Sequence, residues 1–529
     1  MESKTILNVK NLLLLLVALL LCNVTYAQSS VSGTVQNSAD LTGIADVKLR
    51  LKGGKTFEAT TDKEGRFAIQ LNEGTTHVLV FTHPDFDTKE VFINDDKQIN
   101  VLLTSNVRYN QYGKRVKRSI LGAEARNGIL TFESEDGNYK YWFDNRVYLD
   151  GAVFFGDPIN PIGNGITLRR VRFALKSILH EKWYTEIDFD FGESKTEIKD
   201  AYIKYILDDG FIKAGQFREG FSMETTTTSR YVTFIERSLV SRFAPSRQLG
   251  FAGSKWGKHW LAIGGIHFQN QGDGEEVNIS QDANKDDGTD EGYSFTGRFA
   301  FMPIQEPHKV LHIGAAASYR TPTTDVEIPN SYRFSTRSLT AVNRKKYIDT
   351  DDITDVDHRT LFGVEVAGAY NNLMFQGEYI TNNVNGIDDS FNANFDGGYF
   401  QVGWLLLGAK YVYNNQEGEF TQASLTDKGG LEFAFRYSYV DVNDADAGIL
   451  GGAGESLTLG INYYVNPNIK FMLNYNYLNH DRYATGKGEL FIYEDESGEQ
   501  FTDVTGLNVP AGDAGDDFSF FSVRFEVDF

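Results

Sequence analysis

The last nine residues alternate without a break. Phe521, Val523, Phe525, Val527 and Phe529 are apolar, and Ser522, Arg524, Glu526 and Asp528 between them are polar. The same period of two recurs upstream. Tyr141, Phe143, Val147, Leu149, Val153 and Phe155 alternate with positions that include Lys140, Asp144, Arg146 and Asp150. Val171, Phe173 and Leu175 alternate with Arg170, Arg172 and Lys176, and Trp183, Ile187, Phe189 and Phe191 with Tyr184, Glu186, Asp188 and Asp190. A strand points successive side chains to opposite faces, so each segment carries one apolar and one polar face. A soluble sheet would also alternate, but here nearly every segment from Tyr139 onward does so, with no helical pattern between them. Hydrocarbon leaves no backbone N–H or C=O unpaired, and a chain without apolar helices crosses it only as a closed sheet. Abundant aromatics (39 Phe, 27 Tyr, 5 Trp), 51 glycines and only 10 prolines agree with a transmembrane barrel.

The N-terminus reads as a secretory signal. Lys4 and Lys10 precede the apolar run Leu12 to Leu21, and Thr25 and Ala27 supply small residues around a cut after Ala27. The run is too short for a spanning helix, which needs about 20 residues. Cys22 is the only cysteine, and Leu21 before it is not the small residue a lipoprotein signal requires. With Cys22 removed, the mature chain has no disulfide and no thiolate metal site.

Residues 28–104 read as a small β-sandwich. Seven strand-like runs, from VSGTVQ to INVLL, are punctuated by Gly, Asn and Asp. Gly33, then Gly43-Ile44-Ala45-Asp46-Val47, then Thr61-Asp62-Lys63-Glu64-Gly65-Arg66-Phe67 resemble the carboxypeptidase regulatory-like domain. That module resembles transthyretin in fold and often precedes outer-membrane barrels in Bacteroidota; the resemblance implies no peptidase activity. Asp62 and Gly65 suit a tight turn, and Phe67 would enter the core. His77 and His83 lack metal-ligand spacing. Residues 105–138 read as a linker, basic at its start through Arg108, Lys114, Arg115, Lys117 and Arg118. A solvated tether, a contact with acidic periplasmic faces and entry into the barrel all fit it.

From 139 to 529 the segments make about sixteen strands, an even number as bacterial barrels require. Short turns are expected at His180–Lys182, Asp208–Gly210, Gly257–Lys258, Asn371–Asn372 and Asn466–Asn468. Long loops are expected at 219–249, 271–291, 321–357, 440–454 and 479–517. The connection 408–428 breaks the alternation of short and long, because it is a long turn on the short side.

The net charge of −21 is unevenly placed. Residues 271–291 carry −7 and residues 494–517 carry −8, whereas Ser229–Gly250 carries +3 and Arg320–Tyr347 carries +4. An acidic total does not exclude an anion site, because charge acts strongly only within a Debye length, about 8 Å in physiological salt. The segment SRYVTFIERSLVSRFAPSRQLG, 229–250, is too irregular for a strand and holds Arg230, Arg237, Arg242 and Arg247 against Glu236. We read it as a loop folded into the bore; a solvated surface loop is the other reading.

Further residues carry a family resemblance: Arg169-Arg170-Val171-Arg172, Lys199-Asp200-Ala201-Tyr202, Gly215-Gln216-Phe217-Arg218-Glu219, Glu236-Arg237-Ser238-Leu239-Val240, Ala244-Pro245-Ser246-Arg247, Arg436-Tyr437-Ser438-Tyr439 and Asn462 to Asn468. Together they resemble the phosphate-selective porin O/P family over most of the barrel. The resemblance implies a sixteen-stranded homotrimeric channel whose inner loops present arginine and lysine to oxyanions. It makes Arg230, Arg237, Arg242 and Arg247 of the loop, Arg146, Arg170 and Arg172 of the wall, and Arg333, Arg337, Arg344, Lys345 and Lys346 of a second basic loop the expected anion ligands. A guanidinium keeps its charge and offers a planar fork to two oxygens, and a ladder of weak sites suits permeation. The wall arginines can equally pair with Glu186, Asp188 and Asp190, and Arg237 with Glu236.

The expected partners are small anions such as phosphate, outer-membrane lipid, further copies in a homotrimer, and the barrel-assembly machinery, for which a strand ending in Phe529 resembles the signal. No nucleic-acid partner, cofactor or metal is expected, and no Walker loop, nucleophile elbow or paired metal histidines suggest an enzyme. Asp282, Asn284, Asp286 and Asp287 hint at calcium, but Gly288 falls one place late for an EF-hand. A barrel serving as an anchor or docking partner, and a broad nutrient channel, are the alternative functions.

Overall fold

The computed structural model describes residues 28–529 apart from 54–57, 73–76, 95–96, 118, 157–161, 270–287, 289–291, 323–327, 344, 482, 485–489, 492, 495–499 and 502–515. The signal segment, most of both acidic loops and the calcium-like cluster 282–287 lie outside the described residues. The chain divides into two units, 1–120 and 121–529.

The first unit holds the seven expected strands in two small sheets. One orders Arg66–Asn72, Gln28–Asn37 and Gln98–Leu103; the other orders Ala59–Thr60, Lys48–Leu51, His77–His83 and Phe86–Ile93. They share one apolar core that includes Val35, Val47, Leu49, Phe67, Leu79 and Phe81. The Asp62 carboxylate accepts the Glu64 and Arg66 amides at 3.0 and 2.7 Å, and Gly65 takes φ 76°. The turn thus delivers Phe67 into the core. His83 accepts the Asp85 amide and packs on Phe86, which is an ordinary turn role.

In the second unit, sixteen antiparallel strands follow one another around a closed barrel. The first, Tyr139–Phe155, pairs with its neighbour Gly165–Leu179 and also with the last, Asp516–Asp528. Closure leaves no open edge along the barrel. The two faces invert the rule for soluble proteins. Phe521, Val523 and Phe525 are 40–50 % exposed, whereas Ser522, Arg524 and Glu526 between them are at most 3 % exposed. An apolar exterior around a polar interior is the pattern of a barrel in lipid. Aromatic pairs such as Phe471–Phe525 and Trp183–Tyr205, with centroids 5.0 and 4.8 Å apart, lie across neighbouring strands.

Some expected boundaries need correction. The linker is not a plain tether: Leu121–Arg126 and Ile129–Ser134 form a hairpin that pairs onto Tyr139–Phe155. Asn468 donates from its side chain to the Asn127 carbonyl at 2.7 Å, which ties this hairpin to a barrel turn. The expected long loop 440–454 is mostly strand, because Gly430–Asp444 and Ile449–Asn466 continue their ladder to a four-residue connection. The turn at Pro307–His308, between Ser294–Glu306 and Lys309–Arg320, was not expected. Among the described residues, the one long connection at the short-turn rim is 407–429, and it folds into the bore.

Candidate functional site

Residues 219–246 leave the strand Gly210–Arg218 and return to Arg247–Trp256 through the interior of the barrel. The loop holds three acids, and wall arginines clamp each of them. Glu219 binds Arg320 at 2.8 and 3.0 Å, Glu224 binds Arg436 at 3.3 Å, and Glu236 binds Arg169 at 2.6 Å, with Arg524 at 3.6 Å. Burial pushes Glu236 up, but Arg169 and Arg524 outweigh it and hold the carboxyl below its usual range. Ser222 caps the short helix Met223–Thr226, and the wall carboxylates Glu365 and Glu378 accept the Met223 amide at 3.1 Å each. Phe221, Leu239, Val240 and Phe243 are buried with wall residues such as Phe395 and Phe520. Ion pairs and apolar packing therefore both pull the segment inward.

A second insert supplies Phe334, Leu339, Tyr347, Ile348 and Ile353 to the same core, with Phe243 and Phe334 rings 4.5 Å apart. A third comes from the opposite rim. Residues 407–429 bring Ala409, Tyr411 and Phe420 against Met223, Leu261 and Met374. Arg298 fixes this turn by donating to the Gly418 and Glu417 carbonyls at 2.8 and 3.2 Å, while its Nε binds Glu365 at 2.8 Å.

The space left beside these inserts includes two cavities that are both lined by Arg218. One, of about 220 Å³, faces Arg169, Arg237, Arg242 and Arg337, with Glu236 as its only carboxylate among the described residues. The other, of about 240 Å³, has mixed charge: Arg146, Arg172, Lys176, Lys204, Lys213 and Arg247 against Glu186, Asp188, Asp200, Glu417 and Glu419. Wall cations in this second cavity are largely neutralised. Arg172 binds Asp190 at 2.8 Å and Asp188 at 3.6 Å, Arg247 binds Asp200 at 2.8 Å, and Lys176 binds Asp144 at 2.7 Å and Glu186 at 3.3 Å. Glu186, Asp188 and Asp200 converge closely enough for a metal, but these cations occupy them.

The expected ligands fall into distinct groups. Among the described residues, Arg237 donates only to the Glu224 and Thr227 carbonyls, at 2.8 and 2.6 Å, and not to Glu236. Arg242 makes no ion pair or hydrogen bond among the described residues, and both arginines line the first cavity. Arg170 is buried and also unpaired among the described residues, with its guanidinium 5.5 Å from the Tyr148 ring. Arg230 is held by Asp144, and by Asp528 at 3.4 Å; Arg146 contacts the same two acids at 3.4 and 3.9 Å. Arg172 and Arg247 are paired as above. Arg337 reaches Glu193 at 3.2 Å, and Arg333 is clamped by Asp349, Asp351 and Asp352. Lys346 donates to Ser335 at 2.8 Å and is exposed, and Lys345 is half-buried beside it. Arg344 lies outside the described residues.

Sequence reasoning missed Arg218, Lys204 and Lys213. Arg218 donates to the carbonyls of Thr225, Thr226 and Thr227 and has no carboxylate partner among the described residues. Its place at the last residue of a strand that enters a basic loop was the available signal.

Two predictions arise from this geometry. Arg524 is 1 % exposed and bidentate to Asp150, at 2.7 Å for both contacts. Asp150→Ala leaves that cation buried without its main partner, and urea unfolding in detergent should show a loss of about 3 kcal/mol. A loss under about 1 kcal/mol would mean that water already serves the guanidinium. Glu419 lies in the inserted turn, where burial, then Glu417, push its carboxyl up to about 8. It is mostly protonated at neutral pH and gains charge near Arg218 and Arg298 as pH rises. Anion preference, read as a reversal potential, should therefore fall between pH 7 and 9. Glu419→Gln should flatten that profile; an unchanged profile would assign the titration elsewhere.

The family described as phosphate-selective porin O and P matches residues 147–491. Porin O of Pseudomonas aeruginosa is 23% identical over 408 residues, which cover 68% of this chain and 88% of the relative. Among solved structures, an anion-selective porin from Comamonas acidovorans aligns with TM-score 0.45 and 10% identity over 74% of this chain and 100% of its own. OmpT of Vibrio cholerae in trimer form aligns with TM-score 0.43 and 9% identity over 74% and 99%.

Proposed function

We propose, from the premise that the chain belongs to the phosphate-selective porin O and P family, that small anions diffuse passively through its barrel past an arginine-lined cavity. The family and the closed barrel make the protein a non-enzymatic channel of the outer membrane. The observation that carries the anion reading is one cavity bordered by Arg218, Arg237 and Arg242, none of which has a carboxylate partner among the described residues. A guanidinium that bonds only carbonyls keeps its full charge for a passing ion, whereas one paired to a carboxylate offers little net field. Orthophosphate, with four oxygens and up to two negative charges at neutral pH, suits several forks at once.

In this reading the long loops face outward and the short turns face the periplasm, as in other such barrels. The signal segment directs export, and the N-terminal unit is a carboxypeptidase regulatory-like domain on the periplasmic side. The strand ending in Phe529 is offered to the assembly machinery, and three copies associate.

Planar-bilayer recording tests the proposal. A KCl gradient should give a reversal potential displaced toward chloride, and added phosphate should reduce chloride current. A potential that favours potassium removes the anion reading. The three inserts also favour one alternative, a barrel that serves as an anchor, and absence of any conductance would support it.

A further inference from the structure

The turn 407–429 is the only connection at the short-turn rim, among the described residues, that is longer than three residues. It reaches far into the bore and places Glu417 and Glu419 on the lining of the second cavity. Arg298 binds the carbonyls of Glu417 and Gly418, so it holds the backbone that carries both side chains. Gly418 takes φ 68°, and a Cβ there would meet Leu261 at 2.8 Å, which leaves the segment little freedom to shift. Glu419 is buried, whereas Glu417 is exposed within the opening.

The wall across this cavity carries two lysines of unusual setting. Lys204 lies 4.3 Å from the Tyr184 ring, and Lys213 lies 4.0 Å from the Phe217 ring. Neither has a hydrogen-bonded or ion-paired carboxylate among the described residues, although Glu417 and the wall acid Glu186, itself paired with Lys176, act electrostatically on both, and Asp200, paired with Arg247, on Lys213. Aromatic faces hold an ammonium while leaving its charge available to a ligand. The cavity therefore sets lysines on the wall against a carboxylate on the insert. That is a transverse field rather than a uniform positive one.

We propose that this second cavity selects small dipolar solutes, those bearing an oxyanion at one end and an ammonium at the other, over plain anions of equal size. The inference rests on the reading of the bore as an anion path. The arginine cavity rejects plain cations. In the second cavity the oxyanion lies along Lys204 and Lys213 while the ammonium faces Glu417. A plain anion meets the same lysines but is repelled by Glu417. Passage requires only weak contacts on both sides, and no bond is made or broken.

Taurine and isethionate form a matched pair of probes: both are two-carbon sulfonates, one with an ammonium and one with a hydroxyl. Efflux of each is measured from vesicles that hold the full-length channel. Wild-type protein should release taurine several-fold faster than isethionate. Glu417→Gln should bring the two rates within about twofold, mainly by speeding isethionate, since one charge at close range in a wet site is worth about 1 kcal/mol. Chloride conductance of the same variant reports that it is folded and open. Equal wild-type rates, or a ratio unchanged by Glu417→Gln in a conducting channel, overturn the proposal. A wild-type channel that prefers potassium over chloride fails at the earlier step instead, so the two failures are distinct.

Discussion

Arg218→Glu should turn an anion-preferring channel toward cations. Residue 218 lines both cavities, so an ion that passes from one to the other meets it at close range. The change removes one positive charge and adds one negative charge. With about 1 kcal/mol per unit charge at contact distance in water, the shift is about 2 kcal/mol, on the order of thirtyfold in relative anion entry. Arg218→Gln should give about half that free energy. The three threonine carbonyls that accept from Arg218 would face a carboxylate in the first variant, so the loop near Met223–Thr226 should also loosen and current noise should rise. Reversal potentials in a KCl gradient measure the first effect directly. Wild-type selectivity in a conducting Arg218→Glu channel would place the ion path elsewhere.

Replacing residues 407–429 by Asn-Gly should raise single-channel conductance several-fold. Six of the seven connections observed at the short-turn rim need only two or three residues, so the strands Asn392–Leu406 and Gly430–Asp444 can be joined the same way. The deletion removes Tyr411 and Phe420 from a cluster that contains Met223 and Leu261, at a cost of about 2 kcal/mol for each ring withdrawn. It also strips Arg298 of two acceptors, though Glu365 still holds its Nε. The shortened barrel should thus remain closed, conduct more, and lose any preference for taurine over isethionate. Heat-modifiable mobility on gels reports barrel closure. Unchanged conductance in a closed barrel would show that the turn lies outside the current path.

The two cases differ in how visible they were beforehand. The odd length of 408–428 stood out against its neighbours, but nothing in its composition told that it turns inward. Its anchors are Arg298, which lies 119 and 120 residues away from the carbonyls it binds, and His312, whose Nδ1 hydrogen-bonds with the Tyr413 hydroxyl. The loop 229–250 was easier, because its arginines lie close together in the chain. Yet the anchoring role of the acids that seat it, Glu219 and Glu224, was not legible, since their partners Arg320 and Arg436 lie 101 and 212 residues on. Arg237 illustrates the limit. Its neighbour Glu236 suggested a local pair, but Glu236 faces Arg169 and Arg524, and Arg237 turns to backbone carbonyls.

The chain's own residue order determined the closed wall and which face of each strand meets lipid. That information is local: alternate side chains must point to opposite sides, and each outward residue from Leu149 to Phe525 declares its medium by itself. Only the tertiary structure decided which arginines keep their charge free. Arg172 and Arg242 look alike as residues, but one is ion-paired to Asp188 and Asp190 and the other makes no ion pair among the described residues, although Glu236 lines the same cavity. The field at any point in a bore sums charges from strands and inserts far apart in sequence, and only closure of the barrel brings them within a Debye length of one another.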